Sequence, residues 1–348
     1  MHRAPRGPVF FYAGERMAEP GDDQELSDSW SRYWSAGHLH SCPTSFSGYY
    51  GPETQALWRK FFAHLGADDV LLELGCGNGG LLAFAAESFA DGAAPQLMGI
   101  DAADLDTGKL ATTRSSSLNA ATARIVGRTR FHVLPLGTAS VTALVSQFAF
   151  EYGVSESAWR EVFRVLAPKA RLLMVVHKIG SLLDRVAKDE LTLGGEFSRE
   201  GGLLDLAMDM VPLIARSGTP EGLASLRADP SANRVKEHYN SASQSLLALG
   251  AALPSGGYAD DLMRETTNVL GRVLDGGVSR AIADLESLRV NLIEHRARLA
   301  ALRAAALGES GVRDFCKRLE INGFKAVSAS VLEERGEEMG WAIEGIRE

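Results

Sequence analysis

The segment Glu73-Leu74-Gly75-Cys76-Gly77-Asn78-Gly79 constrains what this chain can fold into more than any other. It follows an apolar run at 70–74 and precedes LLAFAAESFA at 81–90, which reads as a helix. A short apolar run without alternation suits a parallel strand covered on both faces. Glycines between such a strand and a helix let the backbone approach a ligand closely and take conformations barred to residues with a Cβ. The helix start adds unpaired N–H groups. Several nucleoside cofactors use a turn of this kind, so the turn alone does not choose among them.

The neighbouring segments extend the pattern. Strands are expected at 96–101, 130–135, 143–152 (ending near Gln147) and 170–178. Helices are expected at 52–65, opened by Pro52, at 105–124, and at 157–167, stopped by Pro168. Strands and helices alternating at this spacing mean an α/β chain with a doubly wound, mostly parallel sheet. After Lys178 the strand pattern stops, and segments 203–216, 241–253, 260–274 and 279–307 show helical spacing. A helix and two strands then close the chain, with strand-like runs at 325–334 and 340–347. The expected division is an N-terminal arm and lid at 1–54, a core at 55–179, a helical insertion at 180–310 and completion of the core sheet at 311–348.

A second marker accompanies the glycines. Asp101 ends the next strand, where a carboxylate can accept both ribose hydroxyls of a nucleoside. The spacing is GxGxGG rather than the GxGxxG of dinucleotide sites, and Glu73 stands two positions before the first Gly. VLLELGCGNGG resembles motif I of the class I S-adenosylmethionine (SAM)-dependent methyltransferases, and MGID resembles their motif II acidic position. SQFAFEYG resembles their segment after strand 4, EVFRVLAPKARLLMVVH their helix–Pro–strand 5 segment, and GF…GWAIEGIR their final antiparallel pair. The resemblance covers about residues 55–178 and 311–348. It implies a Rossmann-like, mostly parallel seven-stranded sheet and SAM as cofactor.

Carried onto this chain, the resemblance places Gly75, Cys76, Gly77, Asn78 and Gly79 along the methionine part of SAM. It places Glu73 near the amino group, Asp101 and Ala102 at the ribose, and Leu134 on the adenine. Gln147 and Phe148 would face the sulfonium and the substrate, with Tyr152 and Trp34 near the reacting centre. The pattern departs from the family in two places. HVLPLGTAS lacks the acidic residue often found beside the adenine, and VTALVS lacks the common Asp at the start of strand 4. Structural alternatives stay open: Asp101 as a helix N-cap, and Gln147 and Phe148 as strand-end packing.

Trp30, Tyr33, Trp34, Tyr49 and Tyr50 precede the core. They read as an aromatic lid over the cofactor or as a staple tying the arm to the sheet. His38, His40, His177 and His238 with Tyr239 are candidate bases, whereas a metal role for His38, His40 and Cys42 lacks further ligands. Met208, Met210 and Met263 read as core filling. The net charge of −8 argues against nucleic acid as the main partner. No apolar run reaches the roughly 18 residues that would span a bilayer. Three scattered cysteines fit free thiols in a reducing cytoplasm. The insertion is expected to roof a substrate pocket or to form a homodimer surface.

Methyl transfer from SAM to a small molecule is the leading expectation. The alternative is a cyclase on the same fold, in which the SAM amine attacks its own γ-carbon to give azetidine-2-carboxylate and methylthioadenosine. A non-catalytic SAM-binding scaffold and a nucleic-acid methyltransferase rank below these, and the chain lacks the NPPY-type sequence of the latter.

Overall fold

The computed structural model describes residues 24–38, 40–41, 51–89, 94–106 and 123–348. Cys42, Tyr49, Tyr50 and most of the expected helix at 105–124 lie outside these residues. The chain divides into two compact units, the first Met1–Asp184 with Ala304–Glu348 and the second Arg185–Arg303.

The first unit is built on a seven-stranded sheet of order β3-β2-β1-β4-β5-β7-β6. Its strands are β1 (Val70–Leu74), β2 (Gln96–Ile100), β3 (Ala123–Val126), β4 (Val141–Gln147), β5 (Leu166–His177), β6 (Phe324–Glu334) and β7 (Glu337–Arg347). The first five run parallel, and β7 pairs antiparallel with both β5 and β6. The period of two divides β1 between the faces: Val70, Leu72 and Leu74 join one core and Leu71 the other. The first face is covered by α4 (Glu156–Val165) and α12 (Glu309–Ile321), and the second by α2 (Pro52–Phe62) and α3 (Gly80–Ser88). The amphipathic helix α1 (Gln24–Ser35) precedes them.

Two strands differ from the sequence expectation. The third strand is Ala123–Val126, not 130–135. It lies at the sheet edge and is only half covered, so the apolar run that marks central strands is missing there. The apolar residues of 130–135 serve a loop instead: Leu134 is 3% exposed in the core, and Phe131 meets Phe150 at 5.5 Å. Strand β5 begins at Leu166, ahead of Pro168. Its register against β4 shifts between Val141 and Ala143, and Lys169 takes φ +64. A bulge leaves residues out of the ladder, so the missing N–H of Pro168 costs no sheet bond.

The second unit is helical throughout. It contains α6 (Leu203–Arg216), α7 (Pro220–Arg227), α8 (Pro230–Ala251), α9 (Gly257–Gly271) and α10 (Val273–Gly276). Parts of α5 (Leu182–Ser198) and α11 (Val278–Ala305) complete it, as both helices cross the boundary. Leu193, Phe197, Leu204, Leu262, Leu285 and Leu292 form its core, with Met208, Met210, Met263 and Tyr239 packed against it. Thr219 and Asp229 cap α7 and α8, and each is followed by a proline at the first helical position. No helix among the described residues is long and apolar enough to cross a membrane.

Candidate functional site

The turn after β1 is set by three glycines in the left-handed region, Gly75, Gly77 and Gly79, at φ +72, +47 and +78. A Cβ on Gly75 would stand 2.1 Å from the Ala149 Cβ, and one on Gly77 would stand 2.5 Å from the Trp34 indole. Both positions therefore need glycine for space as well as for backbone conformation. The amides of Gly75 and Cys76 donate to the Ile100 carbonyl at 2.7 and 3.1 Å, which continues the β1–β2 ladder into the turn.

Asp101 pins this turn. Its Oδ2 accepts the Gly77 N–H at 2.7 Å and its Oδ1 the Ala103 N–H at 2.8 Å. Burial pushes its carboxyl above the ordinary value of 3.8, while these two N–H groups pull the other way. Each carboxylate oxygen keeps a second lone pair for another donor. Asp101 is thus a loop anchor with acceptor capacity in hand. Glu73 is 3% exposed and shares the parity of Leu71 on β1. Cys76 turns its thiol toward β2, where a Cβ on Gly99 would meet it at 2.7 Å, and the Sγ also donates to the Gly77 carbonyl at 3.6 Å.

The tips of β4 and β5 form the adjoining wall. Gln147 Oε1 accepts the Trp58 indole N–H at 2.6 Å, which fixes the orientation of the amide. Trp58 is fully buried on α2, and Glu334 ties down the first turn of that helix by accepting the Thr54 N–H and hydroxyl at 3.1 and 2.9 Å. Burial raises the Glu334 carboxyl, and the adjacent Glu53 adds to the rise. Phe148 sits at φ +53, an unfavourable value for a residue with a Cβ, held by its N–H bond to Val175 at 2.7 Å.

Next to it lies a buried acid–imidazole pair. Glu151 Oε1 accepts the His177 backbone N–H at 2.8 Å and contacts the ring Nδ1 at 2.7 Å. The two side chains are 1% and 2% exposed. The Phe148 ring lies 4.6 Å from the imidazole and Tyr152 stands edge-on at 5.6 Å.

Helix α1 brings Trp30 and Trp34 over this edge, stacked at 5.8 Å, and Trp30 meets Tyr152 edge-on at 6.4 Å. Asn78 latches the helix end by donating from Nδ2 to the carbonyls of Trp34 and His38, both at 2.8 Å. Ser27 donates to the Ala102 carbonyl at 3.1 Å. Between α1 and the loop after β2 lies a cleft of about 680 Å³ whose walls include Ser31, Arg32, Ala102, Asp104 and Arg130. Arg128, also in its wall, pairs with Asp104 and raises no net charge there.

Most residues expected from sequence therefore stand at one edge, while Leu134, His238 and Tyr239 do not. Leu134 has its side chain in the core beside Trp159 and Val162. Its N–H donates to Glu161 at 2.8 Å, which ties this loop to the helix α4. His38 stacks on Tyr33 at 4.3 Å, the His40 carbonyl accepts the Tyr33 hydroxyl at 2.6 Å, and Tyr239 packs in the second unit's core. Among the described residues no cluster of His, Cys, Asp or Glu could hold a metal. Sequence reasoning missed Trp58, Glu334 and the latch role of Asn78. Each acts through partners more than 40 positions away, or 40 in the case of His38, and no local signal marks them.

A family model described as a methyltransferase domain matches residues 72–174. No curated protein sequence matches the chain. The YcgJ protein of Bacillus subtilis is similar in structure at 23% identity and a TM-score of 0.30, over 38% of this chain and 58% of that one. The chain thus spans less than two thirds of that protein's own length. A geranyl diphosphate C-methyltransferase of Streptomyces coelicolor A3(2), crystallised with S-adenosyl-L-homocysteine, is similar at 15% identity and a TM-score of 0.34, over 45% of this chain and 67% of that one. A SAM-dependent methyltransferase of Aquifex aeolicus is similar at 15% identity and a TM-score of 0.32, over 42% of this chain and 73% of that one.

Proposed function

We propose, for a chain whose residues 72–174 form a class I SAM-dependent methyltransferase domain, that the methyl group goes to a small-molecule acceptor at the carboxyl edge of the first unit. The observation that carries this reading is the left-handed glycine turn pinned by Asp101, a backbone cradle with acceptor capacity beside it. Such a domain is an enzyme's, and its cofactor is SAM.

Gly75, Gly77 and Gly79 would hold the methionine part, with Glu73 behind the turn. Asp101 and Ala102 would hold the ribose, next to the cleft that Ala102 lines. Bound SAM supplies a methyl group already activated by the sulfonium, so the chain's task is alignment and exclusion of water. Gln147, held by Trp58, and Phe148, held by β5, give that alignment fixed side chains. Tyr152, Trp30 and Trp34 cover the edge against water.

Where the acceptor atom carries a proton, His177 is the group that takes it. Glu151 holds Nδ1, which leaves Nε2 as the basic nitrogen. Glu151 is the positioning residue of this pair.

The test incubates the purified chain with SAM and a panel of amines, alcohols and phenols. Release of S-adenosylhomocysteine that depends on an acceptor supports the reading. Methylthioadenosine formed from SAM alone would replace it with the cyclase chemistry. Failure of SAM and S-adenosylhomocysteine to bind at millimolar concentration would overturn the cofactor assignment.

A further inference from the structure

We infer that the carboxyl edge of the first unit reads the positive charge of a sulfonium, with Trp34 as the residue that makes SAM distinguishable from its uncharged product. The inference rests on the SAM reading above. It adds which property of the ligand is recognised and which side chain recognises it.

Three observations carry it. The first is the placement of rings. The Trp34 indole lies against the glycine turn: a Cβ on Gly77 would meet its Cζ2, Cε2 and Cη2 at 2.5, 2.7 and 2.8 Å. From there a row of rings continues through Trp30, Tyr152 and His177 at centroid spacings of 5.8, 6.4 and 5.6 Å. The row crosses the ends of β1, β4 and β5. Aromatic faces carry negative potential, and a cation near them is attracted, most strongly by Trp.

The second is the sign of the buried charge. Glu73, Asp101 and Glu151 are 3%, 8% and 7% exposed and stand at the ends of β1, β2 and β4. Among the described residues no Lys or Arg is buried. The edge therefore has acidic groups set into it, and among the described residues His177 is the only buried group beside them that can carry a positive charge, since Arg32, Arg128 and Arg130 in the cleft wall are not buried. In a site closed to water such groups favour a positive ligand more than they would in solvent.

The third is rigidity. Asn78 holds the backbone carbonyls of Trp34 and His38, both at 2.8 Å, which fixes the end of α1, and the indole itself is packed against Gly77 and Trp30. A ring already in place binds without the entropic cost of ordering it.

SAM and S-adenosylhomocysteine share the adenosine, the carboxylate and the ammonium. They differ in the methyl group and the charge on sulfur. Contacts of the turn, of Asp101 and of the acids with the ammonium are common to both ligands, so they cancel in the ratio of the two affinities. A charge-reading indole acts on that ratio. An indole that only staples α1 to the sheet acts on both affinities alike.

Calorimetry on the full chain tests this with SAM, S-adenosylhomocysteine and sinefungin, which has a charged amine in place of the sulfonium. In Trp34→Leu the preference for SAM over S-adenosylhomocysteine is expected to fall roughly 2- to 30-fold. S-adenosylhomocysteine affinity should change less than twofold, and sinefungin should follow SAM. Trp34→Phe, which keeps a weaker aromatic face, should lose only part of the preference. Equal loss for all three ligands, or an unchanged ratio, overturns the inference while SAM binding by the parent stands. Should Trp34→Leu not fold, Trp34→Phe decides alone, and a ratio equal to the parent's sinks the idea. If the parent binds none of the three, the SAM reading fails and takes the inference with it.

Discussion

The two units of this chain solve burial in different ways. The second unit closes its core with apolar side chains, and of the buried polar residues among those described only Asp189 and Thr266 fall within it. Both are satisfied within the unit, by the Ser255 N–H and the Leu262 carbonyl at 3.0 and 2.8 Å. The first unit buries Glu73, Asn78, Asp101, Ser146, Glu151 and His177 around the ends of its strands. Its left-handed residues with a Cβ, such as Phe148 and Lys169, have no counterpart among the described residues of the second unit. Burying polar groups and holding strained backbone both cost stability, so a fold keeps them where something is gained in return. The contrast teaches where to look for chemistry: in the unit that departs from simple core packing.

That contrast can be broken by substitution. Leu285→Ala, at a fully buried position of the second unit, should cost about 2–5 kcal/mol by opening a cavity. SAM affinity, measured by calorimetry on the folded fraction, should stay within twofold. A large fall in affinity would show that the two units do not divide stability from binding.

Gly77→Ala should cost about 1–3 kcal/mol in denaturant unfolding through backbone strain alone. Because its Cβ would meet the Trp34 ring, SAM binding should also be lost. Retained binding would mean that the turn tolerates a rearrangement and is not the cradle.

On the proposed ribose contact, Asp101→Ala should weaken SAM binding by about 1–3 kcal/mol, and the Gly77 and Ala103 amides lose their acceptor as well. The pH dependence sharpens this. Folding raises the Asp101 pKa, so its favourable contribution to stability is complete below the ordinary value of 3.8 and is lost as pH rises through the raised value. Wherever Asp101 is ionised, its buried charge is a cost the fold carries. Acidification through the raised value should therefore weaken SAM binding without loss of stability from this group. Asp101→Asn should flatten that pH dependence in a titration of SAM affinity.

The smallest effects test positioning. Trp58→Phe removes the bond to Gln147 and should cost about 0.5–1.5 kcal/mol in thermal unfolding, with methyl transfer falling more than SAM affinity. In the second unit, Glu190→Gln removes the charge from a part-buried contact with His295 at 2.6 Å. It should cost no more than about 1 kcal/mol and leave SAM binding alone.

Most of the first unit was legible before its structure. The strand at 70–74 and the closing pair at 325–334 and 340–347 stand close to where their patterns placed them. The third strand expected at 130–135 lies at 123–126 instead, and Leu134, expected at the adenine, has its side chain in the core. Both expectations relied on apolar residues, and an apolar run reports burial without saying which surface does the burying.

What the amino-acid order settled by itself is whatever nearest neighbours decide. The glycine turn is required by φ values that only glycine takes freely, and the doubly wound sheet follows from runs whose apolar content is local. What tertiary structure alone decided is every relation that spans distance. Trp34 lies on Gly77 across 43 positions by simple difference of their numbers, Glu151 meets His177 across 26, and Trp58 reaches Gln147 across 89. Such contacts depend on how strands order in the sheet and how helices pack on it, which no short window of residues encodes.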